Sequence, residues 1–225
     1  MAQEHSPIQD ARVNTVLDRL HKQANRQLAG VVAHIAGRAL QMLVTRKREL
    51  EDTSYYRDKL IPIDRRQGAL IYLLCRSLKA TRVVEYGTSF GVSTLYLASA
   101  IRDNGGGTVI GTELEPFKVS IAHQNFEAAG LSSFVDLREG DALETLKDCG
   151  GPVDFLLVDG WPRLAPDVLK LMAPQLRSGA IVFCDESGHS PSDRAAYRSI
   201  VRNPANGFVS AHFPLYGGTE ITVKT

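Results

Sequence analysis

Up to Leu78 the apolar residues of this chain recur every three or four positions, and from Arg82 onward short unbroken apolar runs alternate with helical stretches. The first rhythm predicts helices. Ser6-Pro7-Ile8-Gln9 reads as a capping box with proline at the first helical position, followed by Val13, Val16, Leu17 and Leu20 at helical spacing. After Gly30 a second helix is predicted from Val32, Ile35, Ala39, Met42 and Leu43; it runs into the charged segment from Arg46 to Asp52, read as a solvated helix end. Tyr55 and Tyr56 follow in a loop, where they either line a substrate pocket or pack on the core. The stretch from Asp64 to Gln67 then caps a helix whose apolar face is Leu70, Leu73, Leu74 and Leu78.

The second rhythm predicts strands over 82–86, 108–112, 134–138, 153–158 and 180–184, with helices over 92–102, 116–129, 142–148 and 166–177 between them. Runs such as Phe155-Leu156-Leu157-Val158 are apolar on both faces, which a parallel strand sandwiched between helix layers requires. After a helix over 193–201, the segment from Asn203 to Gly207 breaks the pattern. The stretches 208–213 and 220–224 flank Gly217-Gly218 as an antiparallel hairpin. The expected fold class is therefore α/β, a doubly wound and mostly parallel seven-stranded sheet ending in that hairpin. Residues 1–60, which contain no predicted strand, read as a helical appendage serving as a lid or a dimer contact on a main domain over 61–225.

Composition narrows the function. A chain of 225 residues that is 44% hydrophobic can bury one good core. Lys and Arg number 26 against 25 Asp and Glu, for a formal net charge of +1, and no basic stripe suggests a nucleic-acid partner. No apolar run has the length of a membrane span and none resembles a leader after Met1, so a soluble, cytoplasmic protein is expected. Cys75, Cys149 and Cys184 lack metal-type spacing and read as buried thiols.

The chemistry centres on Glu85-Tyr86-Gly87-Thr88-Ser89-Phe90-Gly91, where a strand ends in an acid and a glycine turn before the next helix. Its G-x-x-x-G spacing departs from the G-x-G-x-x-G of dinucleotide sites. Ser89 and Phe90 place side chains where a diphosphate needs bare backbone, so an adenosine ligand without phosphate, S-adenosylmethionine, suits the loop. In doubly wound sheets ligands bind past the carboxyl ends of the strands. Those places hold Glu85, Glu113, Asp141, Asp159 and the pair Asp185-Glu186. Glu113, at the end of the second strand, is assigned to a ribose, because a carboxylate only accepts and both ribose hydroxyls donate. Taken singly, Asp141 could also serve as a helix cap and Glu113 as a solvated loop acid, although the ribose role is preferred for Glu113.

Together these stretches, with Glu139-Gly140-Asp141-Ala142 and Asp159-Gly160-Trp161, resemble the successive motifs of class I S-adenosylmethionine-dependent methyltransferases. Over residues 60–225 the chain is most similar to the small O-methyltransferases of the catechol and caffeoyl-coenzyme A type. The resemblance implies a Rossmann-like fold and transfer of a methyl group from S-adenosylmethionine to a hydroxyl of a small molecule, in a homodimer. It places Glu85, Gly87, Ser89 and Ser93 around the methionine part of the cofactor and Glu113 on the ribose. Asp141 and Ala142 flank the adenine, Trp161 packs on it, and Ile61 and Ile63 supply apolar contacts.

The family's metal site implies Asp159, Asp185 and Glu186 as ligands of Mg²⁺, Mn²⁺ or Ca²⁺, hard cations that take oxygen donors. Asp159 is thereby also catalytic. Two departures stand out: Glu186 replaces an asparagine, and Pro162 occupies the place of the catechol enzyme's general-base lysine. Arg163 stays protonated and cannot serve as that base. His189 is then either a catalytic base or an exposed loop residue. A metal-independent methyltransferase and a non-catalytic S-adenosylmethionine-binding module remain the alternatives.

Overall fold

The computed structural model describes residues 6–45 and 53–225, so the charge run from Arg46 to Asp52 lies outside the described residues. Helix α1 spans Ala11–Thr45 without a break at Gly30, where the sequence suggested two helices. Its two interior glycines, Gly30 and Gly37, cost only about 1 kcal/mol each against alanine, and burial of Val13, Val16, Leu17 and Leu20 in the core offsets them. The helix also starts later than the Ser6 box predicted. Asp10 Oδ1 accepts from the backbone N–H groups of Arg12 (2.8 Å) and Val13 (3.4 Å), while Ser6 Oγ closes only a local turn with Ile8 N–H (3.3 Å).

The first half of α1 is no loose appendage. Ile8, Val13, Val16, Leu17 and Leu20 are buried in the same apolar cluster as Val83 and Phe155 of the main sheet and Leu95 of a helix packed on it. Helix α2, Arg65–Ser77, is capped as predicted: Asp64 accepts from Arg66 N–H, and the Gln67 side chain accepts from Asp64 N–H at 3.1 Å.

The alternating part follows as β1 Arg82–Tyr86, α3 Val92–Asp103, β2 Thr108–Glu113, α4 Pro116–Ala129, β3 Val135–Glu139, α5 Ala142–Thr145, β4 Val153–Val158, α6 Ala165–Met172, β5 Leu176–Asp185, α7 Pro191–Val201, β6 Phe208–Phe213 and β7 Thr219–Lys224. Two helices are shorter than expected. Pro174 stops α6 and lets β5 begin at Leu176, which pairs with Val153. Arg138 donates to the carbonyls of Thr145 and Asp148, 2.7 Å each, and so ends α5 early.

Among the described residues the strands form one seven-stranded sheet in the order β3-β2-β1-β4-β5-β7-β6, parallel except at β7, which runs antiparallel to both β5 and β6. Apolar clusters fill both faces, one under α1 to α4 and one under α5 to α7. All three cysteines are buried free thiols. No helix among the described residues is long and apolar enough to cross a membrane. The order reverses between β1 and β4, the topological switch point where open α/β sheets bind ligands.

Candidate active site

At the switch point Gly87 takes φ +98° and Gly91 φ +85°, and Ser89 between them is also left-handed at φ +51°. A Cβ on Gly87 would stand 2.6 Å from the Asp159 carbonyl oxygen and 2.7 Å from Gly160 Cα. The loop after β1 therefore rests directly on the loop after β4. Glu113 braces the same loop: Oε2 accepts from Ser89 N–H at 2.8 Å and Oε1 from Glu115 N–H at 2.9 Å. A carboxylate has about four lone-pair sites, so about two stay available to a ligand's hydroxyls.

Beyond the loop opens a cleft of about 630 Å³, a size that holds a cofactor and a small second ligand. Ile61, Ile63, Gly87, Ser89 and Glu113 line one part of it. Asp141, Ala142, Asp159, Trp161, Asp185 and His189 line the rest. Ser93 reaches only a small side recess behind the loop, shared with Ile63 and Phe90. Asp141 also caps α5, accepting from Leu143 N–H at 2.9 Å, so its two sequence readings coexist. Trp161 meets Tyr56 edge-on at 5.7 Å between ring centroids, and Tyr56 lines the cleft as well. Arg57 reaches Glu115 at 2.8 Å, so the segment before α2 bridges the cleft from one wall to the other.

Two of the predicted acids stand elsewhere. Glu85 is fully buried beneath the loop, where Thr88 and Thr94 donate to its Oε2, and Oε1 has no hydrogen-bond partner among the described residues. Burial raises its pKa, and hydrogen bonds from Ser93, Thr94 and Thr88 only partly offset that. Glu85 thus supports the loop and is not among the cleft-lining residues.

Glu186 is also fully buried and does not line the cleft. Arg198 grips both its oxygens, with Nε to Oε1 at 2.9 Å and Nη2 to Oε2. Next to it Glu220 takes Arg202 Nε at 2.8 Å and Nη2 at 2.7 Å, and His212 Nδ1 lies 3.4 Å from Glu186 Oε2. Burial would raise the Glu220 carboxyl, but bonds from Arg202 and Ser210 bring it below the usual range. Ligand atoms of Glu186, His212 and Glu220 come within 4.8 Å of one another, yet a cation there would face two guanidiniums. Freeing Glu186 for the cleft would break a buried ion pair, a loss of about 3–5 kcal/mol. The expectation of three cleft carboxylates therefore reduces to two.

Those two are Asp159 and Asp185. Neither forms an ion pair among the described residues. Burial, then Asp185, then Glu85 push the Asp159 pKa well up. Asp185 is raised chiefly by burial, although Ser187 donates to it through both N–H (2.9 Å) and Oγ–H (3.0 Å). Gln67, the capping residue of α2, also bonds Asp185 and donates to Thr219 Oγ1 at 3.2 Å. The cleft floor thus holds two carboxyls that no cation among the described residues pairs, and when ionised they accept either a positively charged ligand or a hard metal ion.

His189 is 5% exposed, not the exposed loop residue of the bland alternative, and burial lowers its pKa. Pro162 lines the cleft and offers no proton acceptor; Arg163 is exposed and does not line it. Sequence reasoning left several cleft residues unassigned, among them His21 of α1, Lys118 of α4 and Tyr216 before β7. Burial, and then Arg65, lower the His21 pKa to about 4. None of these lies in a motif, and only the packing of α1, α4 and the hairpin loop brings them to the site.

Residues 84–187 match a family described as a methyltransferase domain. A catechol O-methyltransferase of Niastella koreensis is 30% identical over 167 residues, which cover 67% of this chain and 74% of that protein. A catechol O-methyltransferase of Mycobacterium tuberculosis is 31% identical over 126 residues, 56% of each chain. The crystal structure of an O-methyltransferase from Bacillus cereus in complex with SAH superposes with a TM-score of 0.67, over 83% of this chain and 97% of that one. At 22% identity that likeness speaks for the fold alone.

Proposed function

The chain belongs to the S-adenosylmethionine-dependent O-methyltransferases, and from that premise we propose that this cleft moves the cofactor's methyl group to a hydroxyl of a small molecule. Glu113 carries the proposal: two backbone N–H groups hold it at the end of β2 with lone pairs to spare for a ribose. Gly87 and Ser89 hold the methionine part, and Ala142 and Trp161 the adenine. In the transfer the carbon–sulfur bond breaks as the acceptor oxygen bonds the methyl carbon. Sulfur keeps the electron pair, and the hydroxyl proton leaves to water through the open mouth of the cleft.

Asp159 and Asp185 fit a divalent ion, because Mg²⁺ is commonly held by one or two carboxylates with water completing its shell. Such an ion, when bound, lowers the pKa of a coordinated hydroxyl. Glu186, spoken for by Arg198, takes no part. Calorimetry tests the cofactor assignment: S-adenosylhomocysteine should bind and NAD should give no heat. Tight NAD binding without S-adenosylhomocysteine binding would overturn it.

A further inference from the structure

His189 is held through its backbone and its neighbours. Its backbone N–H donates to the Glu186 backbone carbonyl at 3.0 Å, Arg198 holds the Glu186 side chain, and Ser190 caps α7 one residue on. His189 lines the cleft, as Asp185 does, and its Nδ1 is buried without a hydrogen-bond partner among the described residues. A neutral imidazole carries one N–H and one lone pair. A proton on Nδ1 would leave a buried N–H unpaired, which folded proteins avoid more strictly than an unused lone pair. The proton therefore belongs on Nε2, which is not among the buried atoms without a partner. A general base needs the reverse arrangement: a lone pair toward the substrate and Nδ1–H held by a carbonyl or carboxylate. No such group meets Nδ1 among the described residues.

On the premise that the cleft transfers methyl groups, we propose that His189 is an acceptor-binding residue whose Nε2–H donates to an oxygen of the small-molecule acceptor, and not the base that takes its proton. Burial lowers the pKa of the ring, which favours the neutral form that carries this donor. The acceptor then presents two features to this end of the cleft: a hydroxyl near Asp159 and Asp185, and an oxygen lone pair toward His189.

Nitrogen NMR of the ¹⁵N-histidine-labelled protein with S-adenosylhomocysteine tests the tautomer directly, with His189→Gln identifying the signal. The expected spectrum has the proton on Nε2; a proton on Nδ1 overturns the proposal. Kinetics with catechol as the probe acceptor give a second arm. His189→Ala should raise KM about tenfold, the loss of one hydrogen bond of about 1.4 kcal/mol, with kcat little changed. His189→Gln, whose amide N–H falls near Nε2, should recover most of that loss. A Gln variant as damaged in kcat as the Ala variant, with the acid limb of the wild-type pH profile gone, would make His189 the base and overturn the proposal. S-adenosylhomocysteine affinity of the wild type reports the methyl-transfer premise separately, since its absence would sink that premise and leave the tautomer result standing.

Discussion

Glu113→Ala is expected to weaken binding of S-adenosylmethionine and S-adenosylhomocysteine about 100-fold or more. The substitution removes charge-assisted hydrogen bonds to the ribose, each worth about 1.5–3 kcal/mol, and every 1.4 kcal/mol is about tenfold in affinity. A second loss adds to the first. Ser89 N–H and Glu115 N–H lose their acceptor, so the left-handed Ser89 that shapes the loop loses its brace. Glu113→Gln should fall between, since its amide keeps one acceptor oxygen but sets an NH₂ group against one backbone donor. Calorimetry that finds unchanged affinity in the Ala variant would remove Glu113 from the cofactor site.

Asp159→Asn and Asp185→Asn should each lower turnover about 100-fold or more, the scale of several kcal/mol lost with a metal-assisted step. The same changes should make the ligand-free protein more stable at neutral pH. Both carboxyls have pKa values raised in the fold, Asp159 by burial and by its acidic neighbours, Asp185 chiefly by burial. A raised folded pKa gives stability that is complete below the unfolded carboxylate value and is lost as pH rises through the folded one. Ligand-free wild-type protein should therefore lose Tm as pH climbs from the ordinary carboxylate range, and the Asn variants should lose less. Excess chelator should reproduce the activity loss in wild type, with Mg²⁺ restoring it. Full turnover in chelator would leave the two acids to a cationic part of the ligands and remove the metal from the scheme.

Much of this was written in local sequence. The order of strands and helices from Arg82 follows from apolar runs and glycine turns, and helix α4 and strands β1, β4 and β6 have the expected bounds. Cleft positions of Gly87, Ser89, Glu113, Asp159 and Asp185 follow from one topological rule about strand ends. Sequence could not tell that Glu186 faces away, because the cause is Arg198 on a later helix, brought near only by the packing of α7 on β5 and the hairpin. Glu85 misled for a similar reason: its hydroxyl partners Thr88 and Thr94 lie close by in sequence, but only the fold shows that they turn the carboxylate under the loop. The unbroken α1 was illegible because a glycine costs little in a helix that the core already holds by Val13, Val16, Leu17 and Leu20.

Transfer of label from methyl-¹³C S-adenosylmethionine is the most direct measurement. With Mg²⁺ present and catechol as the first acceptor in a panel of small hydroxyl compounds, the label should appear as an oxygen-bound methyl group, with S-adenosylhomocysteine formed in equal amount. Asp159→Asn should suppress both products while still binding the cofactor. Tight cofactor binding with no label on any hydroxyl, and none of the demethylated cofactor, would contradict methyl transfer and leave a binding module in its place.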